Sequence, residues 1–182
     1  MKVTVIGPGR WGSFIAWYLD KIGHRVTLYG RVGSKKLAEF IDSRSNGLLT
    51  LGEEVELTSN LEAVVHSDVI VISINSQGLS KLMDELKSYQ LTNKIFVLCM
   101  KGIEISTGRR LSEIVSSSID STSKVAVWLG PGHVQEFVKG IPNCMVIDSE
   151  DEMVKDTLIQ SFSSDLIRFY YGRDLVGNEI GA

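Results

Sequence analysis

Apolar positions recur along this chain in two alternating rhythms. Lys2 to Ile6 is a short β-branched run of the kind that forms a buried strand. Trp11, Phe14, Ile15, Tyr18, Leu19 and Ile22 then fall on one face of a helix of period 3.6. Gly23 stops that helix, and Arg25 to Tyr29 give a second strand. The same alternation continues to the end. Helices are predicted over 36–44, 80–89, 107–118, 134–139 and 150–163, with a brief one capped by Asn60 and running through Val65. Strands are predicted over 55–58, 68–74, 94–100, 124–129, 143–148 and 166–171. Asp68–Ile74 and Lys94–Met100 are apolar almost without interruption, the pattern of parallel strands covered on both faces. Repeated strand–helix units predict an α/β, doubly wound, mostly parallel sheet, with residues 1–182 as one domain. The tail from Gly172 to Ala182 reads as polar and without an element.

Between the first strand and the first helix stand Gly7, Gly9 and Gly12, in the spacing G-x-G-x-x-G. Strand, glycine turn, helix, strand is the context that makes this spacing informative, and it points to a Rossmann-type dinucleotide-binding unit. Gly7 permits the tight turn, Gly9 lets backbone approach a pyrophosphate, and Gly12 lets helix and strand pack closely. The free N–H groups at the helix start face the anion. An acid ending the second strand would bind the ribose 2′-hydroxyl of NAD. Here that strand ends Leu28-Tyr29-Gly30-Arg31, with Lys35 and Lys36 just beyond. Cations there suit a 2′-phosphate, so NADP(H) is favoured over NAD(H), which stays open.

Composition narrows the classes without choosing among them. Net charge is −3, which gives no field to attract nucleic acid. No apolar run approaches the roughly 20 residues of a membrane-spanning helix, and the amino terminus enters a strand directly with no signal-peptide layout. Cys99 and Cys144 lie in apolar strand-like runs and read as small buried hydrophobes of a reducing cytoplasm. No Cys/His cluster has metal-ligand spacing.

Three predicted loops at strand carboxyl ends converge on one rim: 7–12, 101–104 and 130–136. Lys101 follows an apolar strand and precedes a glycine, which presents its ammonium at the ligand edge, where it can neutralise a phosphate or polarise a carbonyl. Gly130-Pro131-Gly132 offers backbone N–H groups to an anion. His133 has a side chain suited to proton transfer but no recognisable partner, and no role is assigned to it, to His24 or to His66.

These stretches together carry a resemblance. IGPGRWG, the strand ending YGR, INSQ, the strand ending MKGIE, LGPGHVQEF followed by GIPN, and DLVGNEIGA resemble, in order and spacing, the NAD(P)-dependent glycerol-3-phosphate dehydrogenases. The resemblance implies reduction of dihydroxyacetone phosphate to sn-glycerol 3-phosphate, feeding glycerophospholipid synthesis. It also implies a small phosphorylated substrate, no nucleic-acid partner and no membrane insertion, with a homodimer left open. By the match, Arg10, Trp11, Arg31 and Val134 join the three glycines at the cofactor. Lys101 is shared by cofactor and substrate, Gly130 and Gly132 lie at the substrate, and Glu136 matches the acid ending that motif. Departures are Gly132 for the family's serine, His133 for an aromatic, and Ile74-Asn75-Ser76 for Val-Pro-Ser. In the family the segment like Glu179-Ile180-Gly181-Ala182 runs on into Leu-Lys-Asn, which carries the catalytic lysine, and then a helical substrate domain. No catalytic residue is therefore assigned within this chain. Two alternatives remain: a related two-domain reductase of another small keto acid, and a non-catalytic NADP(H)-binding sensor.

Overall fold

The computed structural model describes residues 1–181. The strands are β1 (Lys2–Ile6), β2 (Arg25–Tyr29), β3 (Glu56–Thr58), β4 (Val69–Ile72), β5 (Ile95–Leu98), β6 (Lys124–Leu129), β7 (Asn143–Ser149) and β8 (Ile167–Tyr171). They form one sheet in the order β3-β2-β1-β4-β5-β6-β7-β8. All neighbouring pairs are parallel except β6 and β7, where Val127 lies opposite Asp148 in an antiparallel register. The helices are α1 (Arg10–Lys21), α2 (Lys35–Ser43), α3 (Leu79–Lys87), α4 (Leu111–Ser116), α5 (Val134–Val138), α6 (Glu152–Phe162) and α7 (Leu175–Gly181). The expected doubly wound, mostly parallel sheet is present.

Each central strand feeds two cores, because alternate side chains leave opposite faces of the pleat. Val69 and Val71 join Phe14, Tyr18 and Leu19 of α1 and Leu158 and Phe162 of α6 in the larger core. Ile70 and Ile72 join Leu82, Met83 and Leu86 of α3 and Ile114 of α4 in the other. Near-continuous apolar runs are what such two-sided burial demands. The strand order reverses between β1 and β4. The helix after each therefore leaves on a different face, opening a crevice at the strands' carboxyl ends where α/β sheets hold ligands. One long-range tie closes the larger core: the Tyr18 hydroxyl donates to the Phe162 carbonyl and pairs with Ser164 Oγ at 2.8 Å, 144 and 146 residues away.

Three sequence expectations are corrected. The polar tail contains α7, held from outside itself. Asn178 Nδ2 donates to Asp148 Oδ2 at 2.7 Å, and the buried Glu179 carboxylate accepts from Ser112 N at 2.7 Å and from Arg110 Nη1 at 3.1 Å. Residues 107–110 do not begin α4. Glu104 N donates to Arg109 O, Gly108 N donates to Glu104 O, and Ile103 pairs with Arg110, so this backbone is committed to a loop. Cys144 is exposed rather than buried, because on β7 it alternates with Met145 and Ile147, which take the core face. Cys99 does pack against the larger core, and burial pushes its thiol pKa up, which makes it a poor nucleophile.

Candidate functional site

The glycine turn sits at the crevice, and its three glycines have separate roles. A Cβ on Gly7, whose φ is +111°, would overlap the Ser73 carbonyl at the end of β4. A Cβ on Gly12 would overlap the Gly7 carbonyl, so this residue closes the turn on itself. A Cβ on Gly9 would meet nothing within 4 Å. Gly9 therefore borders open space, a cradle that a side chain would fill. It also caps α1 without a side-chain acceptor. The first N–H groups of this twelve-residue helix and the positive end of its dipole consequently face the crevice. These features fit a dinucleotide pyrophosphate.

Beside the turn opens a cavity of about 360 Å³, lined by Ile6, Pro8, Tyr29, Arg31, Val32 and Ile74 among others. Its walls are mostly apolar, with Ser34 and Arg31 as polar members, and Arg31 is exposed and forms no ion pair among the described residues. Gly30 is tightly enclosed here: a Cβ would come within 2.8 Å of Pro8 and 2.9 Å of Leu37. Ser34 caps α2 by accepting from Leu37 N, and Lys35 and Lys36 lie exposed in the first turn, with no acid there. Apolar side chains beside Arg31, Lys35 and Lys36 give an adenosine a surface to pack on and an adjacent anionic group cations to meet.

The other end of the crevice lies at β5 and β6. Exposed Lys101 lines a cavity of about 420 Å³ with Leu129, Gly130, Pro131, Val146 and, from α7, Asn178. Gly130 has φ +154° with Met145 packed against it. The Gly130–Gly132 loop is tied back to the glycine turn by aromatic rings. Phe137 of α5 stacks on Phe14 with centroids 5.0 Å apart, and Trp11 approaches both rings. Trp11 is thus half-buried as a bracket, while Arg10 is exposed at the mouth. Val134 is buried in the larger core at the start of α5. His133 precedes α5 and its side chain makes no capping bond. The three predicted loops therefore share one rim. The sequence reading missed α7 as a wall of this cavity, although DLVGNEIGA was already among the informative stretches. A further cavity of about 330 Å³, between α3 and residues 118–120, lies at the amino end of β5 and away from this rim.

The Lys101 loop is braced at its base. Glu104 is buried, and its carboxylate accepts from the hydroxyls of Ser80 and, at 2.7 Å, Thr107. Those two hydrogen bonds hold its pKa below the usual carboxylate range. It is a structural anion. Among the described residues no group of three or more His, Cys, Asp or Glu side chains is placed to hold a metal ion, and no helix is long and apolar enough to cross a membrane.

Comparison with known proteins bears on the family and the fold. Residues 2–155 match the family described as the N-terminus of NAD-dependent glycerol-3-phosphate dehydrogenase. A Thermoanaerobacter protein named glycerol-3-phosphate dehydrogenase, of the NAD(P)+ type, is 33% identical over the whole of this chain and 55% of its own length. A protein of the same name from Fusobacterium nucleatum is 32% identical over 100% of this chain and 56% of its own. The chain thus spans about half the length of the curated relatives it matches. The crystal structure of glycerol-3-phosphate dehydrogenase from Coxiella burnetii superposes with a TM-score of 0.89 at 21% identity, over 98% of this chain and 55% of that one. A ketopantoate reductase from Ralstonia eutropha superposes at 0.73 and 17% identity, over 98% of this chain and 59% of its own, so the fold alone does not choose a substrate. With the family match covering most of the chain, it belongs to the N-terminal domain family of NAD-dependent glycerol-3-phosphate dehydrogenases.

Proposed function

We propose that this chain is the cofactor-holding half of a cytoplasmic glycerol-3-phosphate dehydrogenase that reduces dihydroxyacetone phosphate to sn-glycerol 3-phosphate, preferring NADPH. The observation that carries the reading is the single rim shared by the open Gly9 cradle, Arg31, which forms no ion pair among the described residues, and the exposed Lys101. The bound dihydronicotinamide would supply the hydride. Gly7, Gly9, Arg10, Trp11 and Gly12 would hold the pyrophosphate end, and Arg31 the 2′-phosphate. Lys101 would place positive charge where the substrate's phosphate and carbonyl meet the rim, which favours the alkoxide formed as the ketone is reduced. Gly130 and Gly132 would offer backbone to the substrate, with Val134 beneath them next to the cofactor. The alkoxide then needs a proton from a positioned acid. Glu104 is bound up in anchoring, and His133 has no orienting partner. By resemblance the donor is a lysine beyond Ala182.

Titration of the 182-residue chain with NADPH and NADH, followed by addition of dihydroxyacetone phosphate, tests this. Tight NADPH binding, weaker NADH binding and no turnover are expected. Failure to bind either nucleotide would refute the cofactor assignment. Turnover by this chain would refute the assignment of the proton donor.

A further inference from the structure

The two ends of the crevice meet through one side chain. After β4 the chain makes a single 3₁₀ turn, Ser76–Gly78, capped by Asn75, whose Oδ1 accepts from Gln77 N at 2.9 Å. Ile74, just before the turn, walls the Arg31 cavity, and Gly78 within it lies beside the Arg31 guanidinium, 3.9 Å from Nη2 to the position a Cβ would take. Gln77 points the other way. Its Nε2 donates to the Ile103 carbonyl at 3.0 Å, and its Oε1 accepts from Ile105 N at 2.8 Å. Residues i and i+2 of the Lys101 loop are thereby bonded as a neighbouring strand would bond them, by a side-chain amide in place of backbone. A third contact, Nε2 to Ser76 Oγ at 3.0 Å, holds the amide to its own turn.

The Lys101 loop needs such a support. Gly102 has φ +94°, and Lys101, Gly102, Ile103 and Ile105 are all exposed, so core packing does not fix this stretch. Its other anchors, the Ile103–Arg110 pairing and the Glu104 carboxylate, leave the Ile103 carbonyl side and the Ile105 N–H to Gln77. An exposed glutamine normally keeps its rotamer freedom. Here both ends of the amide are committed to one loop.

We propose that Gln77 is a positioning residue for Lys101: its amide fixes the Lys101 loop against the turn that walls the Arg31 end, so the reach of Lys101 into the crevice depends on it. The consequence for ligand affinity rests on the cofactor reading given above; the consequence for the loop does not.

The test compares Gln77→Met, which keeps length and loses both bonds, with Gln77→Glu, which keeps the acceptor for Ile105 N–H. Amide exchange in the ligand-free chain is read first, with the melting temperature as a control. Gln77→Met should speed Ile105 exchange by about fivefold or more at unchanged melting temperature, and Gln77→Glu should leave that amide largely protected. Unchanged Ile105 exchange in Gln77→Met overturns the proposal, whether or not any nucleotide binds. Affinity is read second, with NADPH and with adenosine 2′,5′-bisphosphate, which carries the Arg31 end alone. Gln77→Met should weaken NADPH by about fivefold, leave the bisphosphate within about twofold, and add less than about twofold in a Lys101→Met background. Equal weakening of both ligands, or full additivity with Lys101→Met, overturns it. If the unmodified chain binds neither nucleotide, the cofactor reading fails, and Ile105 exchange still decides the role of Gln77.

Discussion

The ring of Phe137 occupies the space that a Cβ on Gly132 would take. Phe137 is buried and stacked on Phe14, so the ring is not free to swing aside. The packing therefore admits glycine at a position where the family resemblance leads to the expectation of a serine, and gives an aromatic brace between α1 and α5. Gly132→Ser should therefore destabilise the chain by about 1–3 kcal/mol through overpacking. Pairing it with Phe137→Leu should relieve the overlap, so that the double variant loses less than the sum of the singles. Urea unfolding of the four proteins measures this.

The open space at Gly9 predicts that stability and binding will separate. Gly9 has φ −73° and ψ 178°, which alanine adopts without strain. Gly9→Ala should leave stability unchanged or raise it by about 0.4–1 kcal/mol, because the unfolded chain loses freedom. The same methyl should sharply weaken NADPH. Gly12→Ala, facing the Gly7 carbonyl, should instead unfold the turn. Melting curves beside nucleotide titrations distinguish the two.

Arg31 should govern cofactor choice. A charge-assisted contact to a 2′-phosphate contributes about 1.5–3 kcal/mol, or about ten- to a hundredfold in affinity. Arg31→Asp should erase the NADPH preference without changing the unfolding midpoint, since the side chain is exposed. Equal affinity of the unmodified chain for NADH and NADPH would remove this role.

Lys101→Met should also fold normally, because the ammonium is exposed and has no ion-pair partner among the described residues. In the full-length enzyme it should lower kcat/KM for dihydroxyacetone phosphate at least about tenfold, equivalent to about 1.4 kcal/mol of transition-state stabilisation. Unimpaired turnover would assign the substrate charge to another group.

His24 should make the fold acid-sensitive. Its Nε2 lies 2.8 Å from the Ser161 carbonyl and its Nδ1 3.3 Å from the Met1 ammonium, so the neutral ring donates at one nitrogen and accepts at the other. Burial, opposed in part by the Ser161 bond and reinforced by the nearby ammonium, lowers its pKa from 6.5. The unfolded state therefore binds the proton more readily than the folded one. Stability should be unaffected above about pH 6.5 and fall as the pH drops below it, levelling off below the folded-state pKa. His24→Gln should flatten that part of the profile in urea melts taken across pH 5–8.

The sheet was legible because each strand is a dense β-branched run and each long helix shows a clean apolar face. The cofactor end was legible too, since its residues are local: three glycines within six positions, then Arg31 at the end of the next strand. What escaped depends on distant partners. α7 is short, contains Gly177, and is held by Asp148, Arg110 and Ser112 rather than by its own propensity. The burial of Cys144 was misread because a one-sided strand with apolar outer residues resembles a two-sided one. Gln77 stood in an informative stretch, but its bonding partners lie 26 and 28 residues on, beyond any local pattern.

The Tyr18 hydroxyl, bound to Phe162 and Ser164, bears on how the molecule assembles. The helix that presents the glycine turn is made well before Phe162 and Ser164, yet its inner face is completed by them. The loop closed by that contact spans 144 residues, and contacts of such separation slow folding. The nucleotide cradle is thus encoded well before the residues that finish it. During synthesis the Tyr18 side of α1 stays uncovered until α6 follows, and apolar surface exposed over such an interval favours aggregation.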